Sequence, residues 1–263
     1  MTETLLHQVN LEYGHNEGGN VHFDLAPSAG FVATAGTAYV PCWGGASGER
    51  TLRTLNLVTG LEGWGWRTPG DIRGSLAIGG VPPRHSVYFA TDGGEVYALP
   101  AAAADGPAPD PLWVQKTHDG VTADLVVSGE NLFVASEDGF LYCMDRITGG
   151  VRWAAPHQTP LTEAPVATAG FVYQVRTGEM WCHDRETGKV LWKLAGASRV
   201  VVEREGKAVV QMADGTLAKV DADGSVVAKL ASGGYTYPTN LRDGSVYAVS
   251  SDGFVLKLEV GGE

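Results

Sequence analysis

The sequence predicts an all-β fold, a six-bladed β-propeller of four-stranded antiparallel blades, and three observations predict it. Apolar runs pair into hairpins around a glycine turn, the hairpins repeat, and a second landmark follows most of them. The clearest hairpins read Val87-Tyr-Phe-Ala-Thr-Asp-Gly-Gly-Glu-Val-Tyr-Ala, Leu132-Phe-Val-Ala-Ser-Glu-Asp-Gly-Phe-Leu-Tyr-Cys and Val172-Tyr-Gln-Val-Arg-Thr-Gly-Glu-Met-Trp-Cys. Looser copies begin at Ala38, Ala208 and Val246. β-Branched and aromatic residues on both sides of a Gly turn are the signature of a hairpin. The turn glycines Gly94, Gly139, Gly178, Gly215 and Gly253 lie 45, 39, 37 and 38 residues apart, close to the ~40-residue period of a four-stranded blade.

The second landmark is Asn56-x-x-Thr-Gly60-x-x-x-Trp64, repeated as Asp145-x-x-Thr-Gly149-x-x-x-Trp153 and Asp184-x-x-Thr-Gly188-x-x-x-Trp192. The Asp or Asn side chain can cap the turn, the glycine can take a positive φ, and the Trp offers the neighbouring blade a large flat surface. These marks place blades near 20–69, 70–117, 118–156, 157–196, 197–230 and 231–263 with 1–14, in one domain. Blade two replaces the landmark turn with Ala101 to Pro111, an exposed loop by composition. Blade five carries Ala228 where the Trp would stand, so it is expected to pack least tightly. Too few residues follow Gly253 for a last outer strand. Residues 5–11, with Leu5, Val9 and Leu11 alternating with polar neighbours, are expected to supply it and close the ring.

Composition narrows the function. With 19 Lys and Arg against 30 Asp and Glu the net charge is −11, which repels phosphate backbones and anionic membranes. Nucleic acid is not an expected partner, and neither is membrane insertion, because no run approaches the ~18 apolar residues of a span. The first residues show no basic start followed by an apolar stretch, so the chain reads as soluble and cytoplasmic. Cys42, Cys143 and Cys182 are widely spaced and read as buried small apolar residues.

At these hairpins and landmarks the chain resembles the PQQ-like, or quinoprotein-like, propeller repeats, BamB-like proteins among them. That resemblance implies a blade type without fixing a function. The quinoprotein dehydrogenases of the superfamily are longer, use more blades and hold the quinone against an adjacent Cys-Cys pair beside calcium. None of the three cysteines here adjoins another, so neither quinone-dependent oxidation nor any cofactor is expected.

Candidate site residues come from the channel mouth. Counting back from the glycine that ends each inner strand gives Phe23, Arg73, Thr122, Glu163, Arg199 and Tyr237, with His22, Asp24, Asp124 and Tyr235 nearby. Two arginines facing carboxylates and tyrosines can clamp a small anionic ligand, since guanidinium groups bind carboxylate or phosphate bidentately. The same groups can equally satisfy one another and channel water. His118 and His157 follow Trp113 and Trp153 at similar offsets. Two histidines fall short of a metal site, and both read as solvated loop residues; His183 is explained by strand alternation. No Gly-x-Ser-x-Gly, P-loop or His-Glu-x-x-His occurs. The favoured class is a non-catalytic protein-interaction scaffold or subunit of a larger assembly, with another protein as partner. The alternative is a small-molecule binder or a propeller enzyme of lyase or hydrolase type. An apolar patch including Trp43, Trp66 or the 101–111 loop would favour the first.

Overall fold

The computed structural model describes residues 25–27, 29–44, 49–81, 84–231 and 234–258. They form six antiparallel sheets, taken in chain order. The first holds β1 (Leu25–Pro27), β2 (Val32–Thr34), β3 (Thr37–Gly44), β4 (Glu49–Asn56) and β5 (Glu62–Arg67). The second holds β6 (Ala77–Val81), β7 (Arg84–Ala90), β8 (Glu95–Pro100) and β9 (Trp113–Lys116), the third β10 (Val126–Ser128), β11 (Asn131–Ala135), β12 (Phe140–Asp145) and β13 (Val151–Pro156). The fourth holds β14 (Val166–Ala167), β15 (Phe171–Arg176), β16 (Glu179–Asp184) and β17 (Val190–Ala195). The fifth is β18 (Ala197–Arg204), β19 (Lys207–Met212), β20 (Leu217–Val220) and β21 (Val226–Leu230), and the sixth β22 (Tyr235–Thr236), β23 (Val246–Ser250) and β24 (Val255–Leu258). In the second to fifth sheets the order follows the chain, inner strand first, as a propeller blade requires.

The second to fifth sheets are each sandwiched between two neighbours, which explains their near-continuous apolar runs. In β7, Val87 and Phe89 pack toward Tyr39, Leu52 and Trp64 of the first sheet, whereas Tyr88 and Ala90 pack toward Leu132, Val134 and Met144 of the third. Period-two alternation thus serves two cores at once. The pattern repeats around the ring, giving a separate apolar core between every successive pair of sheets from first to sixth.

The landmark stitches sheet to sheet. Asp145 Oδ1 accepts the amide hydrogens of Ile147 and Thr148, and Asn56 does the same for Val58 and Thr59. Three tryptophans then lie on the next sheet's turn: Trp113 on Gly149, Trp153 on Gly188, Trp192 on Gly224. The indole N–H of Trp113 donates to the Arg146 carbonyl at 3.1 Å, and that of Trp153 to the Arg185 carbonyl at 2.9 Å. The outer strands share a bulge, with Trp153, Trp192 and Ala228 opposite Cys143, Cys182 and Lys219 just beside it.

Two expectations change or sharpen here. The 101–111 loop is not simply exposed: Ala104 is buried, and the segment takes the seat of the missing turn. Its carbonyls at Ala102, Ala103 and Ala104 accept from the Tyr39 hydroxyl, the Trp64 indole and the Trp64 amide. Small side chains let its backbone approach closely, Ala104 O standing 2.0 Å from where a Cβ on Gly63 would be. Beside Ala228 an apolar cavity of about 330 Å³ opens between the fifth and sixth sheets, lined by Val209, Leu217, Lys219, Leu230, Val246 and Leu258. Residues 5–11, expected to complete the sixth sheet, lie outside the described residues.

Candidate functional site

The connections that enter the inner strands carry most of the mouth residues. Arg73, Thr122 and Asp124, and Glu163 precede β6, β10 and β14 respectively, Arg199 lies within β18, and Tyr235 within β22. Arg73 is held by Asp71 at 3.3 Å and Asp92 at 3.4 Å. Asp92 in turn accepts the Asp71 amide at 2.9 Å, and Arg50 also pairs with Asp71. Thr122 donates to Glu137 at 2.9 Å, and Asp124 accepts the Ser75 amide at 2.7 Å. The Glu163 backbone carbonyl accepts from Gln174, and Arg199 donates to the Tyr237 carbonyl at 3.4 Å. These groups are bound to neighbours within and across sheets. Tyr237 departs from the expectation: its ring is 2% exposed and packs with Val201, Val202 and Val246, so it belongs to a core. Its phenyl body gains more from that burial than from the wet channel. Phe23, His22 and Asp24 lie outside the described residues.

At the opposite end, where the inner hairpins turn, a cavity of about 360 Å³ is lined by Ser128, Thr168, Glu203, Arg204, Glu205 and Leu241, drawn from the third to sixth sheets. Arg185 braces its wall. Its guanidinium is buried, donates to the Ser128 hydroxyl at 2.9 Å, the Ser128 carbonyl at 2.6 Å and the Thr168 carbonyl, and lies 5.4 Å from the Phe133 ring centroid. Arg146 reaches the Gly129 carbonyl at 2.7 Å in the same way. The signal was present in the sequence as an Arg directly after Asp145 and Asp184, within a landmark read for its Asp, Gly and Trp only.

The histidines divide. His118 is exposed, near Asp138 and Tyr142. His157 is wholly buried, which corrects its reading as a solvated loop residue. Its amide donates to the Gly139 carbonyl as the Thr117 amide does to that of Gly94, so His157 is the counterpart of Thr117 and not of His118. One residue of offset turns a side chain to the other face. His157 Nε2 lies 3.1 Å from His183 Nε2, and the His157 ring centroid lies 4.4 Å from that of Trp181. Among the described residues no three His, Cys, Asp or Glu gather to hold a metal.

The cysteines are buried as expected, on β3, β12 and β16. Burial pushes the Cys42 thiol up to about 11 and those of Cys143 and Cys182 up to about 12, which keeps them as inert thiols. They stand on three separate sheets.

Sheets stacked around an axis and stitched by a repeated Trp-on-glycine contact define a PQQ-like repeat propeller. A family model described as the outer membrane protein assembly factor BamB matches residues 65–155 and 147–262, and the chain belongs to that family. BamB from Moraxella catarrhalis superposes with a TM-score of 0.66 at 20% identity, over 89% of this chain and 73% of that one. The computationally designed Ika8 protein superposes with a TM-score of 0.63 at 18% identity, over 88% and 70%. Likeness at these identities is one of fold. No curated protein matches the chain.

Proposed function

We propose that this propeller binds another protein, as a scaffold or subunit of a larger assembly. Membership of a family described as an assembly factor carries the reading. The surface offers apolar positions for it: among the described residues Val226 and Val227 of β21 and Phe254 just before β24 are large apolar side chains left exposed. Trp43, half exposed on β3, adds a second position, whereas Trp66 packs on Phe89 and Tyr97 at 5.7 and 5.0 Å. The net charge of −11 favours a partner with a basic face and speeds encounter with it. Affinity capture from the native source, with wild type beside Val227→Glu and Phe254→Glu, tests the idea. A partner retained in stoichiometric amount by wild type and lost from variants of unchanged melting temperature is expected. Identical captures from all three would remove the assignment.

A further inference from the structure

We propose that His157 and His183 form an acid-opened latch between the third and fourth sheets, closed while both rings are neutral and released when either takes up an additional proton. His157 directly follows β13, the outer strand of the third sheet, and His183 lies in β16 of the fourth. Both rings are fully buried, and their Nε2 atoms are 3.1 Å apart.

The hydrogen positions follow from the partners. Nδ1 of His183 is 2.9 Å from the Gly188 carbonyl oxygen, which can only accept, so Nδ1 carries the hydrogen and Nε2 of the neutral ring is bare. His157 must then donate from its Nε2, leaving its Nδ1 bare. That Nδ1 is indeed buried without a hydrogen-bond partner. A proton added to His183 sets two N–H groups head to head. One added to His157 lands on Nδ1, where no protein acceptor waits.

The surroundings oppose a further positive charge. Arg176 of β15 donates to the His157 carbonyl at 2.5 Å, and Lys193 of β17 stands 3.4 Å from the Trp181 ring centroid. Glu179 of β16 accepts the Trp181 indole hydrogen, and β13 contributes the uncharged Trp153 ring, stacked on His183 at 6.4 Å. Burial first, then the charges of His183, Arg176 and Lys193, push His157 down to about 3. Burial likewise pushes His183 down, against an opposing contribution from its bond to Gly188. An unfolded or opened histidine binds its proton near 6.5. Below that value the open form holds more protons than the closed one, so closure weakens as pH falls from about 6.5 toward the depressed values.

The segment loosened is 157–163, which the amides of His157 and Leu161 still hold to the Gly139 and Ser136 carbonyls of the third sheet. The Gln174 bond to the Glu163 carbonyl and the Arg176 bond to the His157 carbonyl also tie it to the fourth sheet. Gln158 sits next to the latch with φ of 65°, a left-handed conformation that a non-glycine residue holds only under constraint. The Trp153 indole bond to the Arg185 carbonyl keeps the two sheets together when the latch opens.

Imidazole nitrogen NMR on the full wild-type chain, together with amide exchange of residues 157–163 against 131–135 in β11, tests the proposal between pH 7.5 and 5.0. At pH 7.5 His183 should show the Nδ1–H tautomer and His157 the Nε2–H tautomer. Below pH 6 the protection of 157–163 should fall relative to β11, by up to about tenfold per pH unit for each ring that gains a proton on opening. In a folded His157→Gln, His183→Gln double variant that dependence should vanish. Either ring titrating freely near 6.5, relative protection constant across the range, or a double variant with wild-type dependence would each overturn the latch. The first two readings need no variant.

Discussion

Gly188 combines two constraints that are separable at single residues. Its φ is 71°, and a Cβ added there would stand 2.6 Å from the Trp153 ring. Gly178 has the same φ, with nothing within 4 Å of the added atom. Gly178→Ala should therefore cost about 1 kcal/mol for the left-handed backbone alone. Gly188→Ala should cost that plus displacement of the indole, a further ~1–3 kcal/mol. Denaturant melts of the two variants, with Trp fluorescence as a second probe, check the difference; equal losses would mean that the indole does not rest on the turn. Asp145 separates the acid behaviour of turns from that of the histidines. Its bonds to Arg152 and to the Thr148 amide hold its carboxyl down to about 2. Its stabilising contribution is complete above the ordinary carboxylate value near 3.9 and is lost only as pH falls toward about 2. Acid loss from the Asp145 turn thus falls below the window in which the buried imidazoles act.

At the scale of the element, β21 shows what the landmark does by lacking part of it. Ala228 faces Lys219 across the same bulge that sets Trp153 opposite Cys143 and Trp192 opposite Cys182. All five residues of β21 are exposed, whereas Trp153's strand and β17 each bury side chains on the neighbouring sheet. A cavity of about 330 Å³ lies beside Ala228, on the face where the larger side chain is lacking. Ala228→Trp is expected to stabilise the chain by about 0.5–2 kcal/mol through cavity filling. The converse change, Trp153→Ala, should cost about 3–5 kcal/mol. Thermal melts of both check the pair, and a destabilising Ala228→Trp would show that the seat is not shaped for an indole.

For the whole molecule, the last edge of the sixth sheet sets the test of closure. Among the described residues β24 pairs only with β23, and Val255 and Leu256 on it are exposed. A chain beginning at residue 15 tests whether residues 5–11 supply the remaining strand. If they do, its melting temperature should fall by several degrees, since about 1 kcal/mol corresponds to roughly 2–4 °C at this size. An unchanged melt would assign that edge to something other than this chain's first residues.

The repeat, the sheet count, the turn glycines and the buried cysteines were all legible in the residues, because hairpin chemistry and period-two alternation are local. Asn56, Asp145 and Asp184 announced capped turns without any knowledge of what lay across from them. The placement of His157 was not local: a single residue of offset against Thr117 decided between solvent and full burial. The seat taken by Ala101 to Ala104 depended on carbonyls waiting for Tyr39 and Trp64 more than 35 residues away. The bond between His157 and His183, the reach of Arg185 to Ser128 and the burial of Tyr237 were likewise decided only when separate sheets met. Sequence by itself determined which strands form and how often; tertiary structure decided which polar groups face each other across the seams, because a hydrogen bond between sheets depends on distances that no local pattern encodes.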